Sequence, residues 1–154
     1  MKFQIELLKE EDIDHVIAMC GKIFEEHDTV ASDSLMLECF IQMDVSYKAV
    51  LDGEIIGCYL MSEDSFCWGE DYTIYEDLKP YFGKEGIHGV ALALMPEFRG
   101  RGYGRALLDL PRKMDYDFVW GGNVKSLNNI DDWIRYGRRV IGENEVCYIT
   151  LMDF

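Results

Sequence analysis

At 154 residues, with 49% hydrophobic and 13% aromatic side chains, the chain has apolar material for one continuous core, and its length predicts a single domain over residues 1–154. A net charge of -14 argues against nucleic acid, whose phosphates demand a basic face, and leaves a cationic partner or plain solubility. No run approaches the ~18 apolar residues of a membrane span, and the polar, acid-bearing start is unlike a secretory leader, so a soluble cytoplasmic protein with no membrane partner is expected.

Phe3 to Leu8 has the composition of a strand. Ile13, Val16, Ile17, Cys20, Ile23 and Phe24 follow at three- and four-residue spacing, which predicts an amphipathic helix. A second helix is expected from about Asp33, with Ser32 or Asp33 as N-cap and Leu35, Met36, Cys39, Phe40 and Met43 on one face. Tyr47 to Leu51 and Glu54 to Met61 are rich in β-formers and are separated only by Asp52-Gly53, a strong signal for an antiparallel hairpin. Residues 62–86 hold Gly69, Pro80 and Gly83, with a short helical piece expected around Tyr75 to Tyr81, and read as a lid or a long connection. Gly89 to Met95 is nearly all apolar, as a central strand buried on both faces would be.

A glycine-rich turn comes next, and then Tyr103, Ala106, Leu107 and Leu110 at helical spacing until Pro111 ends or kinks that helix. Phe118-Val119-Trp120 reads as a strand. Ile130, Trp133, Ile134 and Gly137 suggest one face of a last helix, and Val146 to Met152 a closing strand. The order β-α-α-β-β-β-α-β-α-β describes a mixed α/β (α+β) sheet flanked by helices. Five cysteines, Cys20, Cys39, Cys58, Cys67 and Cys147, are odd in number and lack the spacing of zinc ligands, so no metal site or disulfide framework is expected and most should be small core side chains.

The charge is uneven. Residues 98–113 carry Arg99, Arg101, Arg105, Arg112 and Lys113 against Asp109 alone, a balance of +4, while the rest of the chain stands at -18. Within that stretch Arg99-Gly100-Arg101-Gly102-Tyr103-Gly104-Arg105 runs from a strand into a helix, where free amides and the helix dipole favour an anion. The glycine spacing is not that of a dinucleotide fold, and the Gly-Lys-Ser/Thr of a P-loop is missing.

The segment resembles the main signature of the GNAT acetyltransferases, Arg/Gln-x-x-Gly-x-Gly/Ala, as Arg99-x-x-Gly102-x-Gly104 after a strand ending Leu94-Met95-Pro96. The resemblance implies a three-layer fold with a mostly antiparallel central sheet. It also implies acetyl-CoA as cofactor, its pyrophosphate held by the amides of Arg99, Gly100, Arg101, Gly102, Tyr103, Gly104 and Arg105, and a main-chain N–H near Leu94 that polarises the thioester carbonyl. Ile5-Glu6-Leu7-Leu8, Val16-Ile17-Ala18-Met19 and Ser46 to Gly57 are similar to the arylalkylamine N-acetyltransferase branch, mainly in scaffold.

An alkylamine with a pKa near 10 is only about one part in a thousand neutral at pH 7, so a proton acceptor is valuable. His88 stands where many family members carry a glutamate, and Asp28 where the arylalkylamine branch places an acceptor-site carboxylate. The family's Tyr-x-x-x-Gly-Phe becomes Trp133-Ile134-Arg135-Tyr136-Gly137-Arg138, leaving Tyr136, in a shifted helix register, or water to protonate the leaving thiolate. Asn123, Asn128 and Asn129 compete for the family's cofactor-touching asparagine. The expected reaction is direct acetyl transfer to the primary amine of a small cationic molecule, since no cysteine adjoins an evident histidine base. A protein N-terminus or lysine as acceptor, and a weakly catalytic CoA-binding sensor, are the alternatives. Members of the family often form homodimers, and nothing in this sequence identifies an interface.

Overall fold

The computed structural model describes residues 1–24, 33–63, 80–81 and 83–154. The chain forms two compact units, residues 1–62 with 90–110 and residues 63–89 with 111–154. The two share one strand, β4 (Gly86–Leu94).

In the first unit the strands β1 (Phe3–Leu7), β2 (Tyr47–Leu51), β3 (Glu54–Ser62) and β4 lie in that order. The β2–β3 hairpin turns at Asp52 and Gly53, both at positive φ (50° and 86°), the geometry whose twist matches that of antiparallel strands. Helix α1 (Ile13–Ile23) buries Ile13, Val16, Met19 and Cys20. Helix α2 (Ser34–Gln42) starts on Asp33, whose carboxylate accepts from the amides of Leu35 (2.9 Å) and Met36 (3.4 Å), so Asp33 and not Ser32 is the cap. These helices supply a core with Leu37, Phe40, Cys58, Leu60 and Ala93, each fully buried aliphatic or aromatic side chain contributing about 1.5–3 kcal/mol.

The buried face of α2 differs from expectation. Leu37 and Phe40 are buried, whereas Leu35 is 70% exposed, because the capped first turn points Leu35 outward. Lys48 and Asp12 form an ion pair at 2.8 Å, with side chains 9% and 8% exposed, and Asp12 also accepts from the amide of Lys9. Cys20 and Cys58 are core residues, Cys39 is exposed and Cys147 half-buried.

In the second unit the order is β4, β5 (Phe118–Val124), β7 (Cys147–Asp153) and β6 (Arg139–Glu143). Of the pairings β1–β2, β2–β3, β4–β5, β5–β7 and β6–β7, only β4–β5 is parallel. A sheet of seven strands, mixed and mostly antiparallel, agrees with the expected class. The core here is Tyr81, Phe118, Trp120, Ile141, Ile149 and Leu151.

Strand β6 was absent from the expected order. Its five residues hold just two aliphatic side chains, and it is an edge strand defined by pairing with β7 across the Asn144 turn, where Oδ1 accepts from the amides of Val146 (2.9 Å) and Cys147 (2.7 Å). Strand β4 begins three residues earlier than expected. Its residues 88–92 are only half-buried, since the register with β5 ends at His88 and Trp120. Helix α3 (Tyr103–Leu108) stops before a short 3-10 turn containing the buried Pro111, so the proline ends the helix instead of kinking it. Helix α4 (Ile130–Tyr136) closes on Gly137, and Ile134 on it is 49% exposed, off the expected apolar face. The expected helical piece near Tyr75 falls outside the described residues except at its end. Among the described residues no helix is long and apolar enough to cross a membrane, and no group of acids, His and Cys is arranged for a metal ion.

Candidate active site

The glycine-rich loop belongs to the first unit and is built from the end of β4. A Cβ on Gly57 would lie 2.6 Å from the Ala93 carbonyl oxygen and 3.0 Å from Leu94 Cδ1, so only glycine allows β3 and the end of β4 to approach this closely. Sequence reasoning passed over Gly57, for which a lone glycine inside a strand was the available signal. The amide of Met95 then donates to the Ile56 carbonyl at 2.9 Å, and Pro96–Phe98 form one 3-10 turn.

Arg99 is extended, and its Nε–H donates to the Leu94 carbonyl at 3.1 Å, tying the far side of the turn to the strand end. Gly100 and Gly102 take φ of 76° and 89°, values a side chain resists, and Gly102 serves as N-cap of α3. The amide of Ala106 is the first of the helix to find a main-chain acceptor, Gly102 O at 3.1 Å. No main-chain acceptor among the described residues takes the amides of Gly102, Tyr103 or Gly104. A Cβ on Gly100 or Gly102 would meet no atom within 4 Å, and one on Gly104 only Leu94 Cδ2 at 3.6 Å. Amides without a main-chain acceptor, beside glycines whose Cβ positions are open, fit an anion such as pyrophosphate.

The side chains of the loop turn to protein partners. Tyr103 stacks on Phe3 at 4.5 Å, Arg101 lies 5.8 Å over Phe98, and Arg105 pairs with Asp109 at 3.3 Å, so this loop offers a ligand chiefly its main chain. Of the expected cofactor-binding set, Leu94 ends β4 and residues 99–105 run from the loop into the first turn of α3.

His88, Tyr136 and the asparagines belong to the second unit. His88 is the third residue of β4, and its ring stacks on Trp120 of β5 at 4.1 Å with 9° between planes. Tyr136 is the last residue of α4, with the Arg112 guanidinium 5.6 Å over its ring. At the two positions that depart from the family pattern, Arg138 lies 5.2 Å over the Trp133 ring, is 4% exposed and donates to Thr150 Oγ1 at 3.4 Å. Asn123 is 8% exposed, whereas Asn128 is exposed in a left-handed turn (φ 51°) and donates to Ser126 O. All three asparagines line a cavity of about 200 Å³ together with Lys125, Asp131 and Tyr148. Asp28 lies outside the described residues.

A sequence model of the Acetyltransferase (GNAT) family matches residues 9–110. No curated protein matches the chain. Among solved structures, the chain resembles the PaiA N-acetyltransferase of Thermoplasma acidophilum in complex with coenzyme A (TM-score 0.71, 14% identity, 100% of both chains). It also resembles a GNAT-family acetyltransferase of Listeria monocytogenes (TM-score 0.74, 17% identity, 99% of this chain and 95% of the other). A third is the polyamine N-acetyltransferase of Drosophila melanogaster, which catalyses the formation of N-acetylagmatine (TM-score 0.67, 12% identity, 99% of this chain and 100% of the other). At these identities the structures speak for the fold, whereas the sequence match covers well over half the chain and includes the loop just described. The chain belongs to the GNAT family of N-acetyltransferases, enzymes that draw their acetyl group from acetyl-CoA.

Proposed function

We propose that the protein transfers acetyl directly to the primary amine of a small cationic molecule, with the loop Arg99–Arg105 holding the pyrophosphate of acetyl-CoA. The observation that carries the cofactor half is the open, amide-lined turn at Gly100–Gly104, whose two left-handed glycines leave room for phosphate oxygens. When bound, acetyl-CoA supplies an activated thioester carbon open to an amine nucleophile. The main-chain amide near Leu94 serves as the donor to the carbonyl oxygen.

His88 Nδ1 or Nε2 takes the proton that an alkylammonium must lose, a task suited to an imidazole near neutrality. The Trp120 face fixes the plane of that ring. Tyr136 Oη provides a proton to the departing sulfur. The acceptor half rests on the charge balance of -18 outside residues 98–113, which draws cations toward the molecule and repels anions except at the loop. The Drosophila relative of the same fold acetylates polyamine-type substrates, which agrees with this reading.

The test combines thermal unfolding with and without coenzyme A and a thiol-release assay over paired cationic and neutral primary amines of equal size. An upward shift, with cationic acceptors preferred at low salt and the preference fading as salt rises, is expected. Equal turnover of neutral and cationic acceptors would overturn the substrate class. Coenzyme binding without thiol release across the panel would favour the sensor reading, for which the exchange of the family's Tyr and Phe for Trp133 and Arg138 is the motive.

A further inference from the structure

Cys20, in the last turn of α1, and Cys58, in the middle of β3, meet in the core of the first unit with their sulfurs 3.9 Å apart. They are 1% and 0% exposed and stand among Val16, Met19, Leu37, Phe40 and Leu60. The hydrogen bond with Cys58 holds the Cys20 thiol below its usual value against the opposing pull of burial, while the same bond and burial raise Cys58. Cys20 is thus the sulfur that ionises, and Cys58 keeps its proton beside it. Among the described residues no further acid, His or Cys completes a metal site with the pair.

A disulfide needs sulfurs about 2 Å apart, so closing this pair asks each side to move by only about 1 Å. The way in is the helix end. Gly21 lies in the same turn as Cys20, and a Cβ on it would meet no atom within 4 Å. A glycine inside a helix weakens it, so this turn opens more readily than the rest of α1.

We propose that Cys20 and Cys58 form an oxidation site, at which a small hydroperoxide entering through the last turn of α1 converts the two thiols into a disulfide that locks α1 onto β3. The Cys20 thiolate attacks a peroxide oxygen, the O–O bond breaks, and Cys20 becomes a sulfenic acid while water or an alcohol leaves. Cys58 Sγ then displaces the hydroxyl from Cys20 Sγ, forming the S–S bond and releasing water. Together the two thiols give up two electrons and two protons to the peroxide.

The lock reaches the reaction through β3. Cys58 follows Gly57, the glycine that lets β3 and the end of β4 approach, and Ile56 O accepts from the amide of Met95. Drawing Cys58 toward α1 shifts the strand that holds the end of β4, where Leu94 offers its amide to the thioester. This consequence rests on the acetyl-transfer reading above; the crosslink does not.

Reduced wild-type chain, G21A and C20S are exposed to hydrogen peroxide, quenched, alkylated and mapped by mass spectrometry without reductant, with melting and thiol release measured before and after. Wild type should yield one linked peptide pair, Cys20 with Cys58, and a Tm higher by roughly 5–15 °C from closing a loop across 38 positions. Acetyl transfer should slow at least about tenfold, and dithiothreitol should reverse all three changes. C20S should show neither the linkage nor the melting shift. G21A, which firms the turn, should form the link about two- to fivefold more slowly. No Cys20–Cys58 peptide from the folded wild type, or a link formed as fast in G21A, would overturn the site, and a fully linked chain as active as the reduced one would overturn the lock. A reduced chain that releases no thiol with any amine would instead overturn the acetyl-transfer reading, with the linked peptide and the Tm still deciding the crosslink.

Discussion

Replacing Gly102 separates the two roles assigned to the loop glycines, conformation and open space. At φ of 89° an alanine suffers the left-handed penalty of about 1–2 kcal/mol, and no clash adds to it because the new Cβ meets no atom within 4 Å. For a chain of this size one kcal/mol lowers Tm by about 2–4 °C, so Gly102→Ala should melt about 2–8 °C below wild type. Gly102→Asn, which tolerates the left-handed region, should lose less than half of that. Both substitutions put atoms where a phosphate oxygen would sit, so both should abolish most of the stabilisation from coenzyme A, about 2.7 kcal/mol at a hundredfold excess over Kd. Differential scanning calorimetry with and without coenzyme A reads both quantities. Unchanged melting of the alanine variant would refute the strained turn, and an undiminished coenzyme shift in either variant would refute the anion cradle.

Three further outcomes follow from the packing. Asp12→Ala leaves the buried Lys48 with only the more distant Glu6 carboxylate at 3.9 Å and should cost up to about 3 kcal/mol in denaturant unfolding, whereas D12A/K48M should cost clearly less than the sum of the single changes. Burial, with help from the Asp153 carboxylate and against the opposing pull of Arg139, raises the Tyr81 phenol above its usual value. The folded chain then holds that proton more tightly than the unfolded chain, so this contribution to stability is whole below pH ~10 and fades as pH rises beyond it. Wild type should lose more stability than Tyr81→Phe between about pH 9 and about pH 11, and parallel curves would refute the linkage. Iodoacetamide should label exposed Cys39 well before the buried Cys20 and Cys58, the latter with its thiol held neutral by its hydrogen bond to Cys20 and by burial; mass spectrometry of the labelled peptides orders the rates.

Local chemistry made much of this molecule legible before its structure. Asp52-Gly53 fixes its own turn, Asp33 its own cap, and Gly102 a left-handed step that few other residues take, so each could be read from a few adjacent residues. Reading failed where a long-range partner decides. Strand β6 exists because β7 pairs with it, Gly57 matters because Ala93 O comes within reach, and Leu37 rather than Leu35 enters the core because the cap sets the phase of α2. The site divides along the same line. The phosphate loop is contiguous in sequence, while the hydrogen bond on Asn123 Oδ1 comes from Thr150, 27 positions away.

The placement of β7 also bears on synthesis. It follows β6 in the chain yet sits between β5 and β6, paired along its length with β5 and over Tyr148–Leu151 with β6. Until Cys147–Asp153 leave the ribosome, β5 carries an unpaired side and β6 has nothing to join, so Phe118 and Trp120 wait with an incomplete core. At roughly 5–20 residues per second that interval lasts on the order of seconds, long enough for a chaperone or another nascent chain to reach the open strand.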